Sequence, residues 1–412
     1  MSFELPFFTN LLILLVTAKV FGEVFERFKQ PAMVGEIIAG IILGPSLLSI
    51  IHPTQDISVI SELGIFLLVI LAGLEVNVDD ILKSLKGRGL IISIMAFFVP
   101  LISGFAVGYF FGLELMTTMF VGLCIAITAL PVTIRILMDL GKLNTEIGRK
   151  IITVAIFDDV VALAILGVLL NLQDTNMSFT AVALVASISL LKLVVFIAVL
   201  VLSYYTVKKI TLKGNFVENT FNKALLFIKG KESLFAIFFA FILLFSSITE
   251  ALGFHFIIGA FFASMLLNES ILGRDNLKTI EKTTGSLAMG FLAPIFFASI
   301  GLEFDIAAIH QIDLLIAILL VSYVSKIIGG YVGSSLAGLP KKVALVMGIG
   351  LNARGIMELV IANIAYKAGL INNEIFSILV IMGVLTTLTT PMMLKWSFKD
   401  IKEEYAANPK CN

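Results

Sequence analysis

The chain has 412 residues, of which 59% are hydrophobic and 14% are charged. A soluble globule of this size has no interior large enough for so much apolar side chain, so lipid must solvate most of it. That excludes a cytosolic enzyme, a nucleic-acid-binding protein and a secreted disulfide scaffold. Lys plus Arg and Asp plus Glu both number 29, so the net charge is zero and only the placement of the charges is informative.

The first residues, Met1-Ser2-Phe3-Glu4, lack the basic stretch of a cleavable leader, so the first apolar run is read as a permanent span. About 20 apolar residues cross a bilayer as a helix. Thirteen stretches qualify in chain order: 6–26, 32–51, 59–76, 89–112, 115–139, 147–171, 178–207, 232–250, 254–269, 284–303, 311–337, 341–366 and 371–395. Cys124 and Cys411 are too far apart to suggest a bridge, and no metal-ligand spacing occurs.

Alternate loops on one side carry Arg27, Lys29, Lys83, Lys86, Arg135, Lys142, a lysine-rich stretch over 208–231 and the C-terminal tail. The opposite loops carry only Lys367. Positive charge stays on the cytoplasmic side, which puts the N-terminus outside and the C-terminus inside. Lys19, Lys192, Lys326 and Arg354 fall within spans. Lys19 and Glu23 are four apart and are expected to pair or to snorkel. The stretch 208–231 reads as a lipid-facing segment.

The third span ends with Gly73-Leu74-Glu75 and the tenth with Gly301-Leu302-Glu303. The second span (Ala39-Gly-Ile-Ile-Leu-Gly-Pro) and the ninth (Gly259-Ala-Phe-Phe-Ala-Ser) match at the same remove of seven spans. Seven is odd, so the copies run oppositely through the membrane. Inverted repeats mark secondary transporters, with the site near the midplane. Spans 2–6 should then match spans 9–13, which pairs span 5 with span 12. Both are interrupted: span 5 by Thr128-Ala-Leu-Pro-Val-Thr133, span 12 by Gly348-Ile-Gly-Leu-Asn352-Ala-Arg354-Gly355. Unwound backbone offers carbonyls to a cation and survives at this depth only inside protein or along a cavity. The fold class is therefore an all-α polytopic membrane protein with about thirteen spans, an inverted repeat and two broken crossing helices.

Span 6 carries Asp158 and Asp159 in mid-membrane. A single carboxylate there costs about 2.5–3.5 kcal/mol on insertion scales, so two adjacent ones point to function. Neighbours on a helix diverge by about 100°. One carboxylate can face a water-filled crevice while the other pairs with a cation on another helix, and Lys326 in span 11 is the natural partner. Arg354 and Glu358 are four apart and are expected to pair along one face, neutralising the break. Lys192 has no evident partner in sequence. A hard monovalent cation wants oxygen ligands, from Asp159 or Asp158 and from carbonyls such as that of Thr128. A carboxylate withdrawn from water holds either a proton or the cation. That competition makes an exchanger, and a second titrating group, Asp158 or Lys326, would make it electrogenic.

Phe157-Asp158-Asp159, Lys326, the segment Gly35-Glu36-Ile-Ile-Ala-Gly-Ile-Ile-Leu-Gly-Pro-Ser46, and Asn352-Ala-Arg-Gly355 with Glu358 together resemble the second monovalent cation:proton antiporter family, in its bacterial NapA-type sodium/proton branch. The resemblance covers nearly the whole chain. It implies a dimerisation side (1–88, spans 1–3, and 232–303, spans 8–10) and an ion-carrying core (89–171, spans 4–6, and 304–395, spans 11–13). A linker span and cytoplasmic loop (172–231) and a cytoplasmic tail (396–412) complete it. It also implies an elevator-like core movement, a homodimer in the plasma membrane, and exchange of Na+ or Li+ for H+ without a cofactor or an enzymatic step. By position, Asp159 is similar to the main cation and proton site, Asp158 to the lysine-paired carboxylate, Lys326 to its partner and Thr128 to a crossing-point ligand. Thr133, Asn352, Arg354 and Glu358 are supporting residues. Potassium-efflux relatives carry Gln-Asp where this chain has Asp-Asp. The rival readings are a potassium-preferring or nonselective cation/proton exchanger and, in another class, a sodium-coupled symporter of organic anions, which would need a cavity lined by polar amides.

Overall fold

The computed structural model describes residues 6–76, 88–143, 145–172, 231–267 and 269–400, with isolated positions between 187 and 202. The seventh span lies largely outside the described residues, as do nearly all of the lysine-rich stretch and the residues beyond 400.

The described chain is helical: α1 Phe7–Arg27, α2 Ala32–Leu43, α3 Gln55–Glu75, α4 Arg88–Phe110, α5 Leu115–Ala126, α6 Leu130–Asp139, α7 Glu146–Asn171, α8 Lys231–Ala251 and α9 Phe256–Leu266. Then come α10 Arg274–Leu287, α11 Ala293–Glu303, α12 Ile312–Leu336, α13 Lys341–Gly350, α14 Ile356–Lys367 and α15 Asn373–Ser397. Among the described residues nine helices are long and apolar enough to cross a membrane, counting α5 with α6, and α10 with α11, as one each. This is a multi-pass membrane protein.

Several boundaries differ from the apolar runs. α2 stops at Leu43 instead of running to 51. Gly44 precedes Pro45, which disfavours helix at the residue before it, and the chain folds back so that the Ile50 and Ile51 amides donate to the Leu43 carbonyl at 2.9 and 3.0 Å. α9, its counterpart in the repeat, has 11 residues against the 12 of α2. At about 1.5 Å per residue neither covers a hydrocarbon core of about 30 Å. The tenth span starts earlier than expected, at Arg274, and joins α10 to α11 through a π-turn at Ala288–Leu292. Pro294 has no amide proton to return to the preceding turn, so the ladder widens there.

The chain divides into two compact units. The first takes in Met1–Gly64, Asp79–Ala162 and Phe291–Asn412. Leu14, Ala18, Ala39, Leu43, Ile295, Ala298 and Leu302 form one of its apolar clusters. Here Lys19 reaches Glu36 on α2 (Nζ–Oε1 3.8 Å), while Glu23 pairs with Arg27 at 3.5 Å. Lys19 thus links two helices. The second unit takes in Ile65–Val78 and Leu163–Gly290. In it Phe196 packs edge-on against Phe245 and Phe262. Lys192 donates to the Leu252 carbonyl at 3.1 Å, a cation at the end of α8 where the helix dipole favours one.

The repeat is visible in atomic contacts. A Cβ on Gly301 would stand 2.2 Å from the Ile37 carbonyl oxygen, and one on Gly73 2.5 Å from that of Phe261. The same glycine in each copy thus lies against the backbone of the other copy's short helix. Within the first unit the register is tighter still. A Cβ on Gly104 would stand 2.7 Å from Cα of Gly122, and one on Gly330 2.6 Å from Cα of Gly348. One spacing in sequence relates Gly104 to Gly330, Gly122 to Gly348, Ile125 to Leu351 and Thr128 to Arg354.

Candidate ion-binding site

The two interrupted spans meet in the first unit. α5 ends at Ala126 and α6 begins at Leu130, leaving Ile127–Ala129 unwound. Pro131 sits in the first turn of α6, where its missing amide proton costs nothing. It therefore starts a half-helix and does not kink a continuous one. In the second copy α13 ends at Gly350 and α14 begins at Ile356. The unwound strands are joined where the Ala129 amide donates to the Ala353 carbonyl at 2.8 Å.

Asp158, Asp159, Thr128 and Lys326 are all fully buried. Lys326 Nζ lies 2.8 Å from Asp158 Oδ2 and also donates to the Ala96 carbonyl at 3.0 Å and to the Ala126 carbonyl. Thr128 Oγ1 lies 2.7 Å from Asp158 Oδ2 and 3.0 Å from the Leu351 carbonyl oxygen. A hydroxyl has one proton to give. With Asp158 ionised, Thr128 has two acceptors competing for that proton. With Asp158 protonated, the acid donates to Thr128, and Thr128 donates onward to Leu351. The hydrogen-bond direction at the crossing therefore depends on the protonation of Asp158.

Arg354 is fully buried. Its Nη2 donates to the carbonyls of Ile125 (2.7 Å) and Ser322 (2.9 Å), and its Nη1 to Asn352 Oδ1 at 3.3 Å. Sequence spacing predicts an ion pair with Glu358, but Arg354 lies in the unwound strand and not on the face of α14, and among the described residues no Arg354–Glu358 ion pair forms. Glu358 occupies the first turn of α14, where the helix dipole favours a carboxylate, and neither of its oxygens receives a hydrogen bond. Thr133 lies buried in α6, its hydroxyl without a hydrogen-bond partner.

Sequence reasoning missed the carbonyls of Ala96, Ile125, Ala126 and Ser322 and the hydroxyl of Thr387, which donates to the Arg354 carbonyl. The constant spacing of the repeat would have found one set. The Thr128–Leu351 contact in one copy and the Arg354–Ile125 contact in the other join equivalent residues.

A cavity of about 490 Å³ opens beside α6, lined by Glu26, Lys29, Val132, Arg135, Asp139 and Lys395 among others. Arg135 Nη1 and Glu26 Oε1 pair across it at 2.8 Å. Val132, on its lining, also lies against Gly355.

This constellation can hold a small cation or a proton among oxygen atoms, away from bulk water. The chain is 31% identical to the Na(+)/H(+) antiporter NhaS4 of Synechocystis, over 94% of this chain and 96% of that one. It is 27% identical to the Na(+)/H(+)-K(+) antiporter GerN of Bacillus cereus, over 96% and 97%. Its fold matches the sodium proton antiporter MjNhaP1 of Methanocaldococcus jannaschii with a TM-score of 0.70 at 17% identity, covering 95% of this chain and 98% of that one. The family model described as sodium/hydrogen exchanger, transmembrane, matches residues 11–399, and the chain belongs to that family.

Proposed function

We propose that the protein exchanges Na+ or Li+ for H+ across the plasma membrane. The observation that carries this reading is a pair of adjacent, fully buried carboxylates, Asp158 and Asp159, beside the crossing of two broken helices, with Lys326 on one of them. Asp159 is shared in turn by a proton and the cation. Cation binding releases the proton, and proton binding releases the cation, so the loaded site crosses neutralised in either direction. Carbonyls of the unwound strands, that of Thr128 among them, supply further oxygens. A second proton on Asp158 or Lys326 makes the exchange electrogenic, each net charge being worth about 2.3 kcal/mol per 100 mV.

Alternating access is by an elevator-like movement of a core (89–171 and 304–395) against a dimerisation side (1–88 and 232–303) in a homodimer. Residues 172–231 link the two, and 396–412 form a cytoplasmic tail. The asymmetry of loop charge supports an N-terminus outside and a C-terminus in the cytoplasm. No resident cofactor takes part, and the protein is a transporter and not an enzyme.

Proteoliposomes with a preset pH gradient test the reading. Adding Na+ or Li+ collapses the gradient, and a parallel addition of K+ measures selectivity. Asp159→Asn abolishes the response; normal exchange by that variant would refute the site. Calorimetry gives a separate check, because alkali binding with no proton release at any pH would rule out competition for one carboxylate.

A further inference from the structure

Near the end of α15 the chain reads Thr386-Thr387-Leu388-Thr389-Thr390-Pro391. Thr386, Thr389 and Thr390 turn their hydroxyls back onto their own helix, to the carbonyls of Met382 (2.8 Å), Leu385 (2.8 Å) and Thr386 (2.7 Å). This is the usual habit of a threonine inside a helix. Thr387 is fully buried and donates instead to the Arg354 carbonyl, in the unwound strand between α13 and α14.

Arg354 is the repeat counterpart of Thr128, and Thr128 is held by Asp158 on α7. α7 and α15 are the last spans of the two copies. Each unwound strand is therefore tied at the same position to the last helix of its own copy. The chemistry of the two ties differs. Thr128 is tied to a carboxylate, which a proton or a cation can take over. Arg354 is tied by a neutral hydroxyl to its peptide carbonyl, which neither ion disturbs.

We propose that Thr387 is a positioning residue for the ion site: it fixes the second unwound strand, so that ion exchange rearranges only the first. This rests on the exchange reading above. The fixed strand presents the Leu351 carbonyl to Thr128 and the Ala353 carbonyl to the Ala129 amide, and it carries the guanidinium that closes on Ile125. A loosened strand reaches Asp158 through Thr128. The defect is one of cation affinity and not of turnover.

The test measures initial rates of exchange against Na+ concentration in proteoliposomes. Thr387→Val keeps the shape and removes the donor; it raises the apparent KM for Na+ about tenfold, the scale of one buried hydrogen bond left unmade, with kcat within about twofold of the parent. Thr387→Ala does the same, and Thr387→Ser restores the parent KM. A parent-like KM in Thr387→Val overturns the proposal. So does a Ser variant as impaired as Val, since that pattern belongs to methyl packing. If neither Val nor Ala assembles, Thr387→Cys decides, because a thiol is a weak donor: a raised KM at parental kcat supports the proposal, and a parent-like KM overturns it. Asp159→Asn is run alongside. Exchange by that variant defeats the site reading itself, whereas a silent Asp159→Asn with a parent-like Thr387→Val defeats only the role of Thr387.

Discussion

Lys326 and Arg354 donate into the end of the same half-helix, Lys326 to the carbonyl of Ala126 and Arg354 to that of Ile125. The C-terminus of α5 points into the protein with its last carbonyls lacking helical partners and a partial negative charge. Two buried cations answer it. At the equivalent end of α13 the Leu351 carbonyl meets the neutral Thr128 hydroxyl. The two copies share a backbone but not a charge distribution, and the cations gather on the side of Asp158.

Removing the Lys326 amine strands a buried carboxylate and unsatisfies the carbonyls of Ala96 and Ala126. Breaking one side of a buried pair costs about 3–5 kcal/mol. Lys326→Ala is expected to melt well below the parent in detergent, and adding Asp158→Asn should recover part of the loss. Equal melting of the single and double variants would show that Asp158 is not the group left stranded.

Thr128→Val removes the hydroxyl that links Asp158 to Leu351 while keeping the side-chain shape. An unmade buried hydrogen bond costs about 1–3 kcal/mol, so the apparent KM for Na+ should rise about tenfold or more. Thr128→Ser should behave as the parent. Initial-rate measurements in proteoliposomes decide it, and an unchanged KM in the Val variant would remove Thr128 from the site.

Glycine at 122 and 348 is set by close approach. A Cβ would stand 2.8 Å from the Leu101 carbonyl oxygen at the first position and 2.4 Å from that of Ile327 at the second. Neither backbone can retreat without moving a helix, and overpacking of this kind costs about 1–3 kcal/mol. Gly122→Ala and Gly348→Ala should both lower the yield of monodisperse protein and its melting temperature. Gly290→Ala, with nothing within 4 Å, is the control and should match the parent.

The apolar spans that fall on described residues, the repeat and the interrupted helices were legible because each leaves a local trace: an apolar run, a repeated Gly-Leu-Glu, a proline or a glycine cluster. The ends of α2 were not. Leu47, Leu48, Ile50 and Ile51 continue the apolar run past a turn that only Gly44-Pro45 betrays. Lys19 finding Glu36, and Arg354 leaving Glu358 for backbone carbonyls, were hidden for a common reason. Spacing of four describes neighbours on one helix; it is silent about a second helix packed alongside and fails where the helix is unwound. Thr387 was hidden by rotation, since the sequence does not say which of four threonines faces away from its own helix.

The crossing also constrains how the protein is made. Thr128 and its acceptor Leu351 are 223 residues apart in the chain, and the Ala129 amide waits for Ala353 over a similar stretch. At a synthesis rate of about 5–20 residues per second, the first half leaves the ribosome on the order of ten seconds or more before the second can complete it. In that interval the Ala129 amide lacks the Ala353 carbonyl that it meets in the finished protein. The halves are obligate complements, and biogenesis must shelter the earlier one, by water, translocon or a temporary helical state, until its twin is threaded in the opposite sense.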